Sequence, residues 1–562
     1  MVGAWVIAQA ADLIADNFLA PPWVMQMIIT LLIVGLPVSL LLSWAFDLTA
    51  DGVRRTGAGD HDGSLVVSNK AVLVAVVGLL VILAVVFYVA WPRGDRSIAV
   101  LPFEDISPDG DQAYLASGIA DELRLELQHL DGLRVAGRTS SNAYAQDGGR
   151  AVAEALNVES ILEGSVRKEG ENIRITVQLT DAADGFTIWS ESYNRELADI
   201  FAMQEEIATS VAGRLGVSLG VGSVNSFHGA GTQNVEAYEA YLQARVDDFS
   251  HSNEQNAIVL LERAIDLDPD YAVAWSMLAL QVLSGTYDVS PDELPQVIER
   301  ARELASEGVR LDPESAGGRS ALALVQMNQR NWTGSEQSHL RAIEMLRDRP
   351  TLERYAIMLM RSGRMIEAEE QFLTAVSVEP LDGHPHSQIW HPFLAQGRVA
   401  EAQEVLDRYQ ATDLFEDNLD VAFNQSDSEV VKSTILAMPE SSVAFVNLYE
   451  PLLENFDSPD RILVLLEEVY RDESLRWPRK LHDISMAAAY FGYPQFALTV
   501  KGREVRAGVV RMHALWKPVM SDVRRLPEFK ELVRELNLVE YWRTYGWADA
   551  CKPLDEADFS CS

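Results

Sequence analysis

GRMIEAEEQF, residues 363–372, returns 34 residues later as GRVAEAQEVL, residues 397–406. Gly363 falls on Gly397, Arg364 on Arg398, Glu367 on Glu401, Ala368 on Ala402 and Glu370 on Glu404. A period of this length is written by a pair of helices that cannot bury its apolar face alone and stacks on copies of itself. The small residues let the paired helices approach closely, while Phe372 and Leu406 fill the groove between them. Ala375 and Pro380 complete the first unit, the proline standing where a helix cannot continue.

These residues resemble tetratricopeptide repeats. Working outward, Trp275, Leu278 and Ala279 open another unit, which ends at Ala301 and Pro313 and is stretched by an insertion around residues 286–294. Ala257, Ala264 and Pro269 mark an earlier one, and further helix pairs are expected at 322–342 and near 492–497. Trp275 and Phe372 read as core. The repeats are placed at 235–411, followed by degenerate helical repeats and a C-terminal cap at 412–562, with an irregular stretch at 413–477. The resemblance implies a concave surface that binds protein or peptide partners. The excess of Asp and Glu would bias such a groove toward basic or polar peptides and speed their encounter.

Ahead of the repeats the pattern changes every ten to twenty residues, as mixed α and β layers do. SIAVLPF is a short buried strand, 113–130 repeats apolar positions at helical spacing, and a strand near 133–136 and a helix around 151–156 follow. Three strands are expected at 160–167, 172–180 and 187–193. In the middle one Ile173, Ile175, Val177 and Leu179 alternate with Arg174, Thr176 and Gln178, giving one buried and one wet face. SIAVLPFEDISPDGDQAYLASGIADEL, GLRVAGRTSS and LEGSVRKEGENIRITVQLTDAADGFTIWSESYNREL resemble the TolB amino-terminal type of domain, related in fold to the FlgO and CsgG envelope proteins. The resemblance covers residues 97–220 and implies a small α/β module behind a membrane anchor, with no established catalytic role. Residues 221–234 form a linker.

The first 92 residues are of a different kind. Residues 71–91 form an uncharged run long enough to cross a bilayer as a helix, and residues 23–46 form a second, with Trp23 and Trp44 at interfacial heights. Residues 4–18, which include Asp12 and Asp16, read as a partial helix. Arg54, Arg55 and Lys70 lie between the spans, whereas residues 1–22 contain no Lys or Arg, so the loop is the cytoplasmic candidate. Membrane lipid around 23–46 and 71–91 is therefore an expected partner. WAFDLTADGVRR resembles the anchor of the same multidomain group, whose members carry a further basic stretch before the first span; here either that helix is curtailed or the start lies upstream. Some relatives place a nucleotide cyclase or a winged-helix domain on the cytoplasmic side, for which the loop 47–70 offers no space. Cys551 and Cys561 would close a short loop in an oxidising compartment, the alternative being two free thiols in a cytosolic tail. They belong to LPEFKELVRELNLVEYWRTYGWADACKPLDEADFSC, which resembles the closing segment of tetratricopeptide proteins fused to this α/β module.

A formal net charge of −37 argues against a surface that tracks phosphate backbones, so no nucleic-acid partner is expected. The chain has no Walker loop, no GxGxxG after a strand, no HExxH and no GxSxG elbow, and neither a cofactor nor catalysis is expected. Ser165 and Lys168 satisfy SxxK but fall on a strand and its turn. Glu104, Asp105, Asp109 and Asp111 lack the spacing of a calcium loop and suit turns and helix caps. In GHPHSQIWHP, His384, His386 and His391 are candidate ligands for a transition metal, weighed against ordinary packing histidines because no carboxylate or cysteine completes the set.

The expected protein is thus multidomain: N-terminal transmembrane helices, a small α/β domain with a mixed sheet, then an all-α tetratricopeptide-type solenoid. It reads as a non-enzymatic scaffold of the bacterial inner membrane with its C-terminal bulk in the periplasm. Two alternatives stand beside it: a relay acting through a separate cytoplasmic partner bound near Arg54 and Arg55, and a small-ligand receptor or enzyme using Arg138, Thr139 and Ser140 as an anion-binding turn.

Overall fold

The computed structural model describes residues 46–49, 52–55 and most of 96–562; within the last stretch, 129, 131, 144–148, 216–230, 251–253, 288, 380–387, 409–414, 426, 476, 478 and 556–557 lie outside the description. The chain forms two compact units, Met1–Asp95 and Arg96–Ser562. In the first, β1 (Phe46–Thr49) and β2 (Gly52–Arg55) make an antiparallel hairpin that sets Asp47 opposite Arg54 and Leu48 opposite Val53. The partial helix at 4–18 and, apart from Phe46, the spans at 23–46 and 71–91 lie outside the described residues. Among the described residues no helix is long and apolar enough to cross a membrane.

The second unit is mostly helical, with a small mixed-sheet domain followed by a tetratricopeptide-like solenoid of helix pairs. The sheet contains β3 (Arg96–Val100), β4 (Glu104–Asp105), β5 (Leu133–Val135), β6 (Ser160–Glu169), β7 (Asn172–Asp181) and β8 (Thr187–Glu196), in the order β5-β3-β6-β7-β8 with β4 beside β6. β3 runs parallel to β5 and β6, while β6, β7 and β8 form an antiparallel meander. The alternation along β7 is realised as read: Ile173, Ile175, Val177 and Leu179 are fully buried. They face helices α1 (Ala113–Gln128) and, after β8, α4 (Ile200–Arg214). On the other face α3 (Gly149–Leu156) packs Val152 and Ala153 on Ala99, Leu101 and Ile161. Residues 138–143, expected to begin as a turn, form a short helix, α2 (Arg138–Ala143).

The helix pairs that follow are α5/α6 (Val235–Ser250, Glu254–Leu267), α7/α8 (Ala272–Ser284, Leu294–Leu311), α9/α10 (Ala316–Asn328, Trp332–Met345), α11/α12 (Arg349–Ser362, Met365–Val378) and α13/α14 (Trp390–Ala395, Val399–Arg408). Their starts are written locally. Ser315 caps Gly318, Asn331 caps Gly334, and Asp348 with Thr351 forms a capping box. The repeated Gly-Arg-x-x-Glu-Ala also acquires a physical meaning. Gly363 (φ 91°) and Gly397 (φ 77°) turn the chain in left-handed conformation between paired helices. Arg364 then forks onto Glu367, and Arg398 onto Glu401, across the first turn of the second helix. The same arginines reach back to the preceding pair, Arg364 to Glu336 at 3.1 Å and Arg398 to Glu369 at 2.8 Å, so one motif closes its own turn and ties adjacent repeats.

The stretch at 413–477 is more regular than its sequence. α15 (Phe415–Phe423), α16 (Ser428–Leu436), a π-helical turn (Phe445–Tyr449) running into α17 (Glu450–Glu454), and α18 (Pro459–Arg471) share one hydrophobic core with the clearer repeats. Another pair, α19/α20 (Lys480–Tyr490, Pro494–Ala507), leads to two 3₁₀ turns (Met512–Trp516, Pro518–Met520), to α21 (Ser521–Arg524), α22 (Pro527–Glu535) and α23 (Leu538–Tyr545), and to the hairpin β9/β10 (Cys551–Pro553, Phe559–Cys561). This closing segment folds back. The indoles of Trp332, Trp516 and Trp542 donate to the carbonyls of Leu536, Arg361 and Ser362, joining residues 155–204 positions apart.

Candidate functional site

Neighbouring first helices touch, α7 on α9 and α9 on α11, forming the inner row of the solenoid. That row is a candidate surface for polypeptide. At its start it receives the α/β domain. α1 lies on α5 so closely that a Cβ on Gly118 would stand 2.6 Å from the Leu242 methyls. Around this contact Arg245 pairs with Asp121 (3.2 Å) and Glu122 (2.9 Å), Arg138 pairs with Asp121 (2.9 Å), and Lys168 and Tyr114 both meet Glu239. Burial, with Glu122 and Glu205 nearby, pushes the Glu126 carboxyl up to about 7. Gly137 abuts the Glu379 side chain at the end of α12.

Farther along, the row receives the 3₁₀ turns at 512–520. Met512–Trp516 lies on α11, and Pro518–Met520 on α19. Between them Lys517 reaches Asp420 of α15 at 2.5 Å and stands 4.8 Å over the Trp390 ring of α13. The His513 ring lies 4.2 Å from that of His391 on α13, and the Asn424 side chain, beside the end of α15, accepts from the Val519 amide at 2.8 Å. Met512, Leu515, Trp516, Lys517 and Met520 are all essentially removed from solvent.

The Lys517–Asp420 pair belongs to a buried polar network. His482 Nε2 lies 3.0 Å from Asp420, Lys501 Nζ lies 3.2 Å from His482 Nδ1 and 2.5 Å from Glu504, and Arg479 pairs with Asp417 (2.8 Å) and Asp420 (3.3 Å). Burial would raise the Asp420 carboxyl, but His482, Lys517 and Arg479 together hold it well below the usual carboxylate range. Burial lowers Lys501 and Lys517, against the pull of Glu504 and Asp420. It also drives His391, His482 and His513 well below the ordinary imidazole range. Sequence reasoning missed this cluster. Its trace was a lysine set among apolar residues in LTVKG and ALWKPVM.

The singled-out residues are placed as follows. Leu278, Ala279, Ala368, Phe372, Ala375, Ala402 and Leu406 are buried between helices. Trp275, read as core, is half-buried instead, its indole N–H donating to the Pro269 carbonyl at 2.9 Å. Pro313 is exposed in the turn from α8 to α9. Pro380, His384 and His386 lie outside the described residues; His391 is buried, its ring 3.7 Å from Trp390. Among the described residues no three His, Cys, Asp or Glu side chains are grouped to hold a metal. Cys551 and Cys561 are bonded and close β9 onto β10. Lys168 turns to Glu239, leaving Ser165 in the strand ladder opposite Thr176, and Asp105 accepts from the Ser107 and Gln112 amides as a turn and cap residue. Arg138, a candidate for binding anions, is already paired with Asp121, which it shares with Arg124 and Arg245.

Comparison with known proteins gives a matching family model for residues 94–210, described as the second domain of HilA/YgeH-like transcriptional regulators. A 233-residue stretch is 34% identical to the putative adenylate cyclase 3 of Rhizobium meliloti (strain 1021), covering 41% of this chain and 40% of that one. The chain thus matches well under half the length of this curated relative. Among solved structures, the type IV pilus biogenesis factor PilW is similar over 41% of this chain and 98% of its own, at 14% identity and a TM-score of 0.30. YrrB, a TPR protein with an unusual peptide-binding site, is similar over 35% of this chain and 89% of its own, at 16% identity and a TM-score of 0.21.

Proposed function

We propose that this chain is a non-enzymatic scaffold, held by helices at 23–46 and 71–91 in a bacterial inner membrane, whose periplasmic bulk binds a protein or peptide partner along the inner row of the solenoid. The observation that carries this reading is the row itself: stacked first helices whose half-buried apolar side chains include Val273, Met277 and Leu280, which share one face of α7, beside a strongly acidic composition. Such a surface offers area and shape to a polypeptide and no nucleophile with a base. The two long uncharged runs and the bonded cysteines support the assignment of place. Reporter fusions at Gly57 and after Arg96, combined with free-thiol labelling of the tail, test the topology, and in-cell crosslinking followed by affinity capture tests the binding. A cytoplasmic report after Arg96, or a captured fraction with no specific protein, would overturn the reading.

One observation favours a second reading, in which the chain relays a signal inward. Within the segment between the two uncharged runs, residues 46–49 and 52–55 pair as β1 and β2, with Arg54 and Arg55 on one strand, and part of the chain is similar to a protein named as a putative adenylate cyclase. Crosslinking from this hairpin discriminates: a reproducible cytosolic partner supports relay, and none removes it.

A further inference from the structure

The turns at 512–520 meet the inner row in the manner of a bound peptide. Four helices contact them: α11 through Trp516, α13 through His513, α15 through Lys517, and α19 through the residues up to Met520. Three kinds of contact are combined. The Asn424 side chain fixes a backbone amide, as a receptor does when it holds a chain whatever its sequence. The Trp516 ring is buried among α11, Phe529 and Trp542. Lys517 enters a slot whose floor is the Asp420 carboxylate and whose wall is the Trp390 ring, so both charge and cation–π attraction select a basic side chain.

From this arrangement we infer that residues 512–520 are an internal ligand of the inner row, and that the external partner of the row carries the same chemistry, an aromatic side chain followed directly by lysine or arginine. The inference rests on the reading of the solenoid as a polypeptide-binding surface. A purely structural cap would be served better by apolar side chains at positions 513 and 517, because the desolvation of a fully buried lysine is at best offset by its pair with Asp420. A recognition slot requires the lysine. It also requires that the segment be able to leave, which the hydrogen-exchange measurement below tests.

The test uses the full chain and a fluorescent synthetic peptide of residues 511–522. Wild type, with its row filled, should show no saturable binding, whereas the Lys517→Ala variant should bind the peptide at least about tenfold more tightly, the worth of one charge-assisted hydrogen bond. The same peptide with glutamate at the lysine position should lose that gain. A Lys517→Ala variant that melts cooperatively and binds neither peptide overturns the inference. Should that variant fail to fold, hydrogen exchange on wild type decides: amides of 512–520 that open before those of α20 and α22 support an internal ligand, and amides that open only with them refute it. Capture of a partner by wild type together with failure of the peptide would overturn this inference alone. Peptide binding by the variant with no partner captured would support residues 512–520 as an internal ligand and overturn both the scaffold reading and the external-partner half of the inference.

Discussion

Gly363 and Gly397 occupy the same place in the repeat yet should respond differently to an added methyl group. Both adopt positive φ, 91° and 77°, where an L-residue is strained by about 1–2 kcal/mol. Around Gly397 nothing lies within 4 Å of an added Cβ, so Gly397→Ala carries the backbone cost alone. At Gly363 the new Cβ would stand 2.7 Å from that of Ala548 and 2.9 Å from the Trp516 ring, a collision with two elements of the closing segment. Both are fixed by hydrogen bonds, Trp516 to the Arg361 carbonyl and Asp549 to the Gly363 carbonyl at 3.0 Å each, so relief requires displacing buried structure at a further cost of about 1–3 kcal/mol. Gly363→Ala is expected to destabilise by about 2–5 kcal/mol and Gly397→Ala by about 1–2 kcal/mol. Urea titrations followed by circular dichroism, compared at equal m-value, measure the difference directly. Equal losses, or a larger loss at Gly397, would refute the claim that the closing segment is seated against this turn.

Three other perturbations probe separate joints. Reduction, or Cys551→Ser, releases a ten-residue loop worth about 3 kcal/mol on the chain-entropy estimate and should lower the melting temperature of wild type but not of the variant when dithiothreitol is added. His339 is fully buried, and burial together with the Arg354 charge lowers its imidazole to about 3. Because the unfolded chain takes up this proton near pH 6.5 and the folded one does not, the stability is intact above that pH and falls by up to about 1.4 kcal/mol per unit as pH drops from 6.5 toward 3. His339→Leu should flatten the urea-midpoint profile across that window by one proton, and an unchanged slope would contradict the assignment. Gly118→Val should push α1 off α5 and speed hydrogen exchange at the amides of both helices, with Leu242→Ala restoring protection; exchange unaffected by the valine would count against the packing described.

Features closed within one turn or one hairpin were legible in the sequence. The Gly-Arg-x-x-Glu-Ala motif binds itself through Arg364–Glu367 and Arg398–Glu401, three residues apart, and β7 displays its buried face at every second residue. Features closed at a distance were not. Arg138 looked available because Asp121, which pairs with it, stands on another helix, and the role of the run at 512–520 was invisible because Asp420 and Arg361 lie 97 and 155 residues away from Lys517 and Trp516. On the inference drawn above, the open groove implied by the repeats is in part filled by the chain itself. This changes what the acidic composition means. Carboxylates on the solvated helix faces raise the rate at which a basic partner arrives and are screened by salt. Asp420, held ionised inside the fold, instead determines where a single positive charge can be kept out of water. On the proposed reading, selectivity would reside in Asp420 and only weakly in the net charge of −37.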